Sequence, residues 1–159
     1  MDSYSVKPIG VARTPFESRE GMPIQPTGAP TGTVEIDDEY VEGLCGLDGF
    51  SHCILIYYLH RGDDGFSTTV EPFLDDTEHG VFATRAPRRP NPIGVSVVEI
   101  LSVEGDELEV GGIDVLDGTP VLDIKPFVSE FDSPKDTQDG WLDSVEKGAK
   151  QTRADDRFV

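Results

Sequence analysis

The chain has 159 residues, 36% apolar and 28% charged, with 31 acids against 13 bases and a net charge of −18. That length suits one core and is short for two. No apolar run approaches the roughly 20 residues of a membrane helix, no basic and apolar leader opens the chain, and Cys45 and Cys53 form neither a disulfide framework nor a Cys-x-x-Cys pair, so a reduced, cytoplasmic protein away from the membrane is expected.

Tyr4 to Arg13 reads as a first strand. Ser18 to Gly32, rich in Gly and Pro, reads as a long loop, and such loops are usually functional or disordered. Thr33 to Ile36 is a short strand, and Asp37 to Leu44 a short helix capped by Asp37 or Asp38. Phe50 to Leu59 is the best strand, apolar, β-branched and aromatic without interruption, and its aromatics Tyr57 and Tyr58 read as core. Val81 to Thr84 is a short strand leading into a Pro-rich loop. Gly94 to Val103 and Glu107 to Val115 form a hairpin around Glu104-Gly105-Asp106, and Val121 to Phe127 is a last strand. Trp141 to Lys150 is a helix candidate. Strands outnumber helices and no helical crossover separates them, which predicts a mostly β fold, a small antiparallel barrel or sandwich. The domain spans residues 1–132, and a polar extension covers 133–159.

Acids run along the whole chain, as in proteins adapted to concentrated salt, where a short Debye length screens their mutual repulsion. Three stretches nevertheless contain none: Gly21 to Val34, Gly49 to Gly62 and His79 to Val98. The second is explained in part by burial. The third is not apolar and carries Arg85, Arg88 and Arg89, as an anion- or RNA-facing site on an acidic surface requires.

Within that third stretch, prolines and glycines from Gly80 to Gly94 hold the backbone in few conformations, and three Arg and Asn91 project from it. Fixed guanidinium forks suit carboxylates, phosphates and base edges. No G-x-G-x-x-G follows a strand, and no P-loop or H-E-x-x-H is present. His52, His60 and His79 have no metal-ligand spacing, so no metal is expected.

The run Ala83-Thr84-Arg85-Ala86-Pro87-Arg88-Arg89-Pro90-Asn91-Pro92-Ile93-Gly94, with Asp117-Gly118-Thr119-Pro120-Val121-Leu122-Asp123-Ile124-Lys125-Pro126 downstream, resembles the TrmO family. So do Ile9-Gly10-Val11, Pro23-Ile24-Gln25-Pro26, and Gly49-Phe50-Ser51-His52 leading to His60. The resemblance covers roughly Val6 to Phe127. It implies an S-adenosylmethionine-dependent methyltransferase acting on tRNA at N6 of the threonylcarbamoyl-adenosine next to the anticodon. It also implies a small β-barrel unlike the Rossmann methyltransferases, assembled as a homodimer. The chain resembles the short, archaeal-type form, without the extra C-terminal domain of bacterial members.

By the same resemblance, cofactor contacts map onto Ile24, Gln25 and Pro26, onto His60 and Arg61, onto Arg85 and Val95, and onto Val121, Leu122, Asp123 and Ile124. Arg61 departs from the polar residue common in bacterial members. Arg85 suits the cofactor carboxylate, and Asp123 its ammonium or ribose hydroxyls, unless Asp123 simply pairs with Lys125. Arg88, Arg89, Asn91 and Lys125 are assigned to the tRNA side. Methyl transfer to a delocalised N6 needs alignment and a proton acceptor, for which Asp114, Asp117 and Asp123 are the candidates. A different class of function, a non-catalytic nucleotide- or RNA-binding barrel, would use the same Arg-Pro loop as an anion cradle.

The charge pattern carries its own test. Lowering salt lengthens the Debye length from about 3 Å in molar salt to about 10 Å at 0.1 M, so carboxylates repel across the domain. The melting temperature should climb with KCl by more than an uncharged osmolyte achieves. A flat profile from low to molar KCl would remove the reading of salt adaptation.

Overall fold

The computed structural model describes residues 1–17, 31–60, 65–72 and 77–145. Six strands close into an antiparallel barrel in the order β1-β2-β7-β6-β3-β8, with β8 returning to β1. They are β1 (Gly10–Arg13), β2 (Gly32–Ile36), β3 (His52–Tyr58), β6 (Ile93–Glu104), β7 (Glu107–Gly111) and β8 (Thr119–Pro126). Two further short strands, β4 (Thr69–Val70) and β5 (His79–Gly80), pair beside the barrel. The barrel alternative is the one that forms, and full closure leaves these strands no open edge. Among the described residues, no helix is long and apolar enough to cross a membrane.

The core follows from strand alternation. In β3, Cys53, Leu55 and Tyr57 point inward and are buried, while Ile54, Ile56 and Tyr58 point outward. The strand is therefore core on one face only. Its unbroken apolar run reflects an outer face that is apolar too: Ile93, Val95 and Val97 of β6 stay 41–46% exposed beside it. Val34, Val98, Leu108, Val110, Ile113 and Val121 complete the interior.

Several boundaries differ from the sequence reading, each for a physical reason. The first strand covers only Gly10–Arg13, because β2 offers partners for those four residues and no more. Asp37 to Leu44 is not an α-helix. It winds as a 3-10 turn over Asp38–Leu44 and continues at Leu47–Gly49, and the Asp37 side chain caps nothing. Val41 and Leu44, three residues apart, share the face of the first 3-10 turn that packs on the core, and Leu47 rejoins the core after the left-handed Gly46. Val81 to Thr84 is not a strand: Val81–Ala83 is a 3-10 turn, in which Val81 and Thr84, three residues apart, are buried while Phe82 is 81% exposed. β7 stops at Gly111, since Gly112 takes φ 77°, a left-handed conformation open to glycine. Trp141 begins no α-helix within the described residues; Gly140–Ser144 is a 3-10 turn. Of the long loop read over Ser18 to Gly32, residues 18–30 lie outside the described residues, and Gly32 is already the first residue of β2, where it pairs with Val110.

Tyr57 pairs with Gly94, and its ring occupies the space where a side chain at that glycine would begin. A methyl group added at Gly94 would overlap the ring. Gly94→Ala should therefore cost about 1–3 kcal/mol through overpacking, measured by denaturant unfolding in molar KCl. A neutral effect would mean that the ring moves aside freely.

Candidate functional site

The Arg-bearing loop from Val81 to Pro92 is pinned by its own polar groups. Thr84 Oγ1 donates to the Val81 carbonyl at 2.8 Å and accepts the Ala86 N–H at 3.3 Å. Arg89 Nη1 donates to the carbonyls of Thr84 (3.0 Å) and Ala86 (3.1 Å), so this guanidinium is turned into the loop. The Asn91 carbonyl accepts the Ile93 N–H, and the Pro92 carbonyl accepts that of Leu59, tying the loop to the end of β3. Trp141 reaches back, donating from Nε1 to the Ala83 carbonyl at 2.7 Å and stacking on His79. Arg85 and Arg88 remain exposed on this frame.

The connection between β7 and β8 carries Asp114 and Asp117. Asp117 Oδ1 accepts the Thr14 N–H at 3.1 Å. Gly118 holds the left-handed conformation (φ 80°) that the turn into β8 needs, and His60 Nε2 lies beside it. Asp114 Oδ1 accepts the Ser96 hydroxyl at 2.8 Å, and the Tyr57 hydroxyl lies 2.8 Å from Ser96 Oγ. Ser96 has one proton, given to Asp114, so Tyr57 donates to Ser96. Burial pushes the Asp114 carboxyl up to about 6, with Ser96, its own backbone N–H and the Arg85 charge pulling the other way. Burial also raises Tyr57, with the Asp114 charge adding to it.

β8 holds the remaining candidates. Asp123 Oδ2 pairs with Lys125 Nζ at 2.8 Å, and Asp123 Oδ1 accepts the Ile124 N–H. Val121 is 1% exposed and its carbonyl accepts the Ile9 N–H. Leu122 is the extra residue of a bulge between the pairs Tyr57–Val121 and Ile56–Asp123. Val95 also pairs with Ile56, so Val95 and Asp123 flank it on the outside of the barrel, away from Ser96. Asp123 and Ile124 border a groove of about 680 Å³ under the 3-10 turns, with Tyr40, Leu44 and Phe50 opposite.

The structure thus sets Asp114 against the interior through Ser96, with the Arg85 charge near enough to act on it, and sets Val95, Asp123 and Lys125 on the outer face. Ile24, Gln25, Pro26 and Arg61 lie outside the described residues. Sequence reading missed Ser96 and Tyr57. A usable signal was present: Ser96 is the polar residue at an inward position among the valines of β6. Among the described residues, no cluster of three or more His, Cys, Asp or Glu could hold a metal ion.

Residues 11–133 match the family model for the tRNA-methyltransferase O N-terminal domain. The chain belongs to the TrmO family. A Pyrococcus abyssi relative, named as a probable S-adenosyl-L-methionine-binding protein, is 46% identical over 96% of this chain and 83% of its own length. A mouse protein named tRNA (adenine(37)-N6)-methyltransferase is 36% identical over 81% of this chain and 32% of its own. The crystal structure of TrmO from Pseudomonas aeruginosa superposes with a TM-score of 0.75 at 41% identity, covering 88% of this chain. This chain spans 63% of that one, under two thirds of its length.

The raised Asp114 carboxyl has a stability consequence. In the fold it keeps its proton up to about pH 6, whereas the ordinary group releases it near 3.8. Between those values the unfolded chain binds fewer protons, so this group's contribution falls as pH rises, by up to about 3 kcal/mol. Asp114→Asn should gain on the wild type across that window and hold a constant difference above it. Urea unfolding at stepped pH in molar KCl measures this, and a difference independent of pH would show that the carboxyl is not raised.

Proposed function

We propose that this chain is an S-adenosylmethionine-dependent tRNA methyltransferase acting on N6 of the threonylcarbamoyl-adenosine next to the anticodon, working in the cytoplasm as a homodimer. The observation that carries the reading is Arg85, an exposed residue on a pinned loop of a TrmO-family barrel, whose charge acts on the partly buried carboxyl of Asp114. The names given to the Pyrococcus and mouse relatives support the cofactor and the tRNA substrate.

The donor set fits the cofactor. Arg85 matches an amino-acid carboxylate as a planar, two-pronged donor. When bound, S-adenosylmethionine supplies an electrophilic methyl group. This chain's contribution is to hold the nucleotide in line with it and to exclude competing geometries. Arg88, exposed on the same loop, is available to phosphate or to the threonyl carboxylate of the modified base. Arg89 serves the loop, through Thr84 and Ala86.

The apolar outer face of β3 and β6, with Ile54, Ile56, Ile93, Val95 and Val97, supports pairing of two copies, since contiguous apolar surface marks association sites. Among the described residues every Asp and Glu is exposed except Glu35, Asp114, Asp117 and Asp123. That distribution supports a halophilic, archaeal-type protein.

Incorporation of labelled methyl groups into tRNA from a strain lacking the modification tests the activity. Methylation should be seen only with tRNA carrying the threonylcarbamoyl group, and cofactor binding with no transfer to any tRNA would favour the non-catalytic barrel. Arg85→Ala should weaken cofactor binding about 10- to 150-fold, the loss of one charge-assisted pair. Arg88→Ala should spare cofactor and weaken tRNA capture. Arg89→Ala, which frees the loop, should lower both. Equal loss of cofactor in all three would overturn this division of roles.

A further inference from the structure

The match to the family domain ends at residue 133, yet a side chain from beyond it bonds the Arg-bearing loop. Residues 131–140 are all exposed, and neither the one-turn helix α1 (Ser129–Asp132) nor the 3-10 turn Gly140–Ser144 buries a residue. This stretch therefore has no core of its own. Trp141, the chain's single tryptophan, returns it to the barrel. The Nε1–H donates to the Ala83 carbonyl at 2.7 Å, and the ring stacks on His79 of β5, with centroids 5.0 Å apart and planes 19° from parallel.

Ala83 ends the 3-10 turn Val81–Ala83, and the next residue, Thr84, is extended. Carbonyls at the end of a helical turn find no partner within it. An indole N–H is a donor only, and here it meets such an acceptor. Thr84 and Arg89 bond the loop to itself. Backbone bonds hold its two ends, Val81 to Thr68 and Leu59 to Pro92. Trp141 holds Ala83 between those ends, two residues before Arg85, and also His79 on the strand that leads into the loop. Its approach is built by its own turn. Gly140 takes a left-handed φ of 57° immediately before it, and Ser144 Oγ donates to the Trp141 carbonyl at 2.7 Å.

We propose that Trp141 is a positioning residue for the Arg-Pro loop: bonded to the Ala83 carbonyl and stacked on His79, it holds the loop in the shape that takes its ligand. Docking of the segment beyond the family domain and ligand binding then favour each other. This rests on the reading of that loop as the element that binds cofactor and tRNA. One hydrogen bond and one ring pair contribute modestly, so docking is reversible. A reversible contact that favours the binding-competent loop is favoured in return by the ligand, by the same factor.

Calorimetric binding of S-adenosylhomocysteine, the cofactor's demethylated product, to the full chain in molar KCl gives the first readout. Trp141→Ala should weaken it about fivefold or more. Trp141→Phe, which keeps a ring for His79 and lacks the N–H, should recover part of that loss. The second readout is the emission of the single tryptophan and its quenching by acrylamide, a neutral molecule that the acidic surface does not repel. Gly140→Val strains the left-handed position, where a Cβ meets nothing within 4 Å, so it loosens the turn and leaves the contact residues in place. His79→Ala removes the stacked ring. Both variants should be quenched more than the wild type, and saturating S-adenosylhomocysteine should return both to the wild-type value. A merely structural strap would not respond to the ligand. The proposal is overturned if Trp141→Ala binds as the wild type does, if neither Gly140→Val nor His79→Ala raises quenching, or if the ligand leaves their quenching unchanged. Equal shielding of wild type and variants would also overturn it, because the ligand would then cover the indole directly. If Trp141→Ala does not fold, the quenching of the other two variants decides. Absence of wild-type binding would overturn the cofactor reading itself, a distinct result.

Discussion

Closing six short strands into a ring leaves an interior wide enough for side chains and nothing more. Every inward position must be filled by an apolar group or by a polar group whose bonds are satisfied in place. The buried polar side chains among the described residues meet that demand. Thr84 bonds the Val81 carbonyl, Thr119 the Leu116 carbonyl, and Ser96 bridges Tyr57 and Asp114. No described buried side-chain polar atom is left without a partner. Among the described acids, Asp114 is the one that burial beside this interior raises.

The surface obeys the opposite rule. Nearly all described acids face solvent, where screening by salt sets what their crowding costs. The exceptions are few, and three of them, Asp114, Asp117 and Asp123, are the acids between the end of β7 and the end of β8. Each has a different partner: the Ser96 hydroxyl, the Thr14 N–H and the Lys125 ammonium. Chemistry that looks interchangeable in sequence is thus divided by packing into a tuned carboxyl, a backbone clamp and a surface pair.

The barrel was legible because its evidence is local: alternation, turn residues at Gly105 and Asp106, and no helical crossovers. The hairpin of β6 and β7 forms around that turn. The short elements were less legible. Asp37 to Leu44 has helical composition, yet Val41, Leu44 and Leu47 answer to the core they pack on, a tertiary demand no local propensity contains. At the site, the Arg-Pro loop was visible because prolines and the absence of acids are sequence properties. The Tyr57–Ser96–Asp114 chain was not, since it joins residues 39 and 18 positions apart that meet only once β3, β6 and the following connection are assembled. Tyr57 in an apolar strand reads as core, and it is core except for its hydroxyl.

The loop itself shows why three Arg so close together need not share one role. A guanidinium can bind a ligand or its own backbone, and its geometry forces the choice. Arg89 spends two donors on the carbonyls of Thr84 and Ala86, which the prolines leave without the strand partners they would otherwise have. That internal bonding, with the Thr84 hydroxyl and the Trp141 indole, gives the loop a fixed shape from which Arg85 and Arg88 project. From that shape the Arg85 charge also acts on the Asp114 carboxyl. A neighbouring acid on the surface would be screened by the salt this acidic chain is suited to, whereas one withdrawn beside the core is screened much less. An acid-rich exterior can therefore coexist with a carboxylate that still acts on a single guanidinium, because burial protects that interaction from the solvent conditions that make the rest of the surface tolerable.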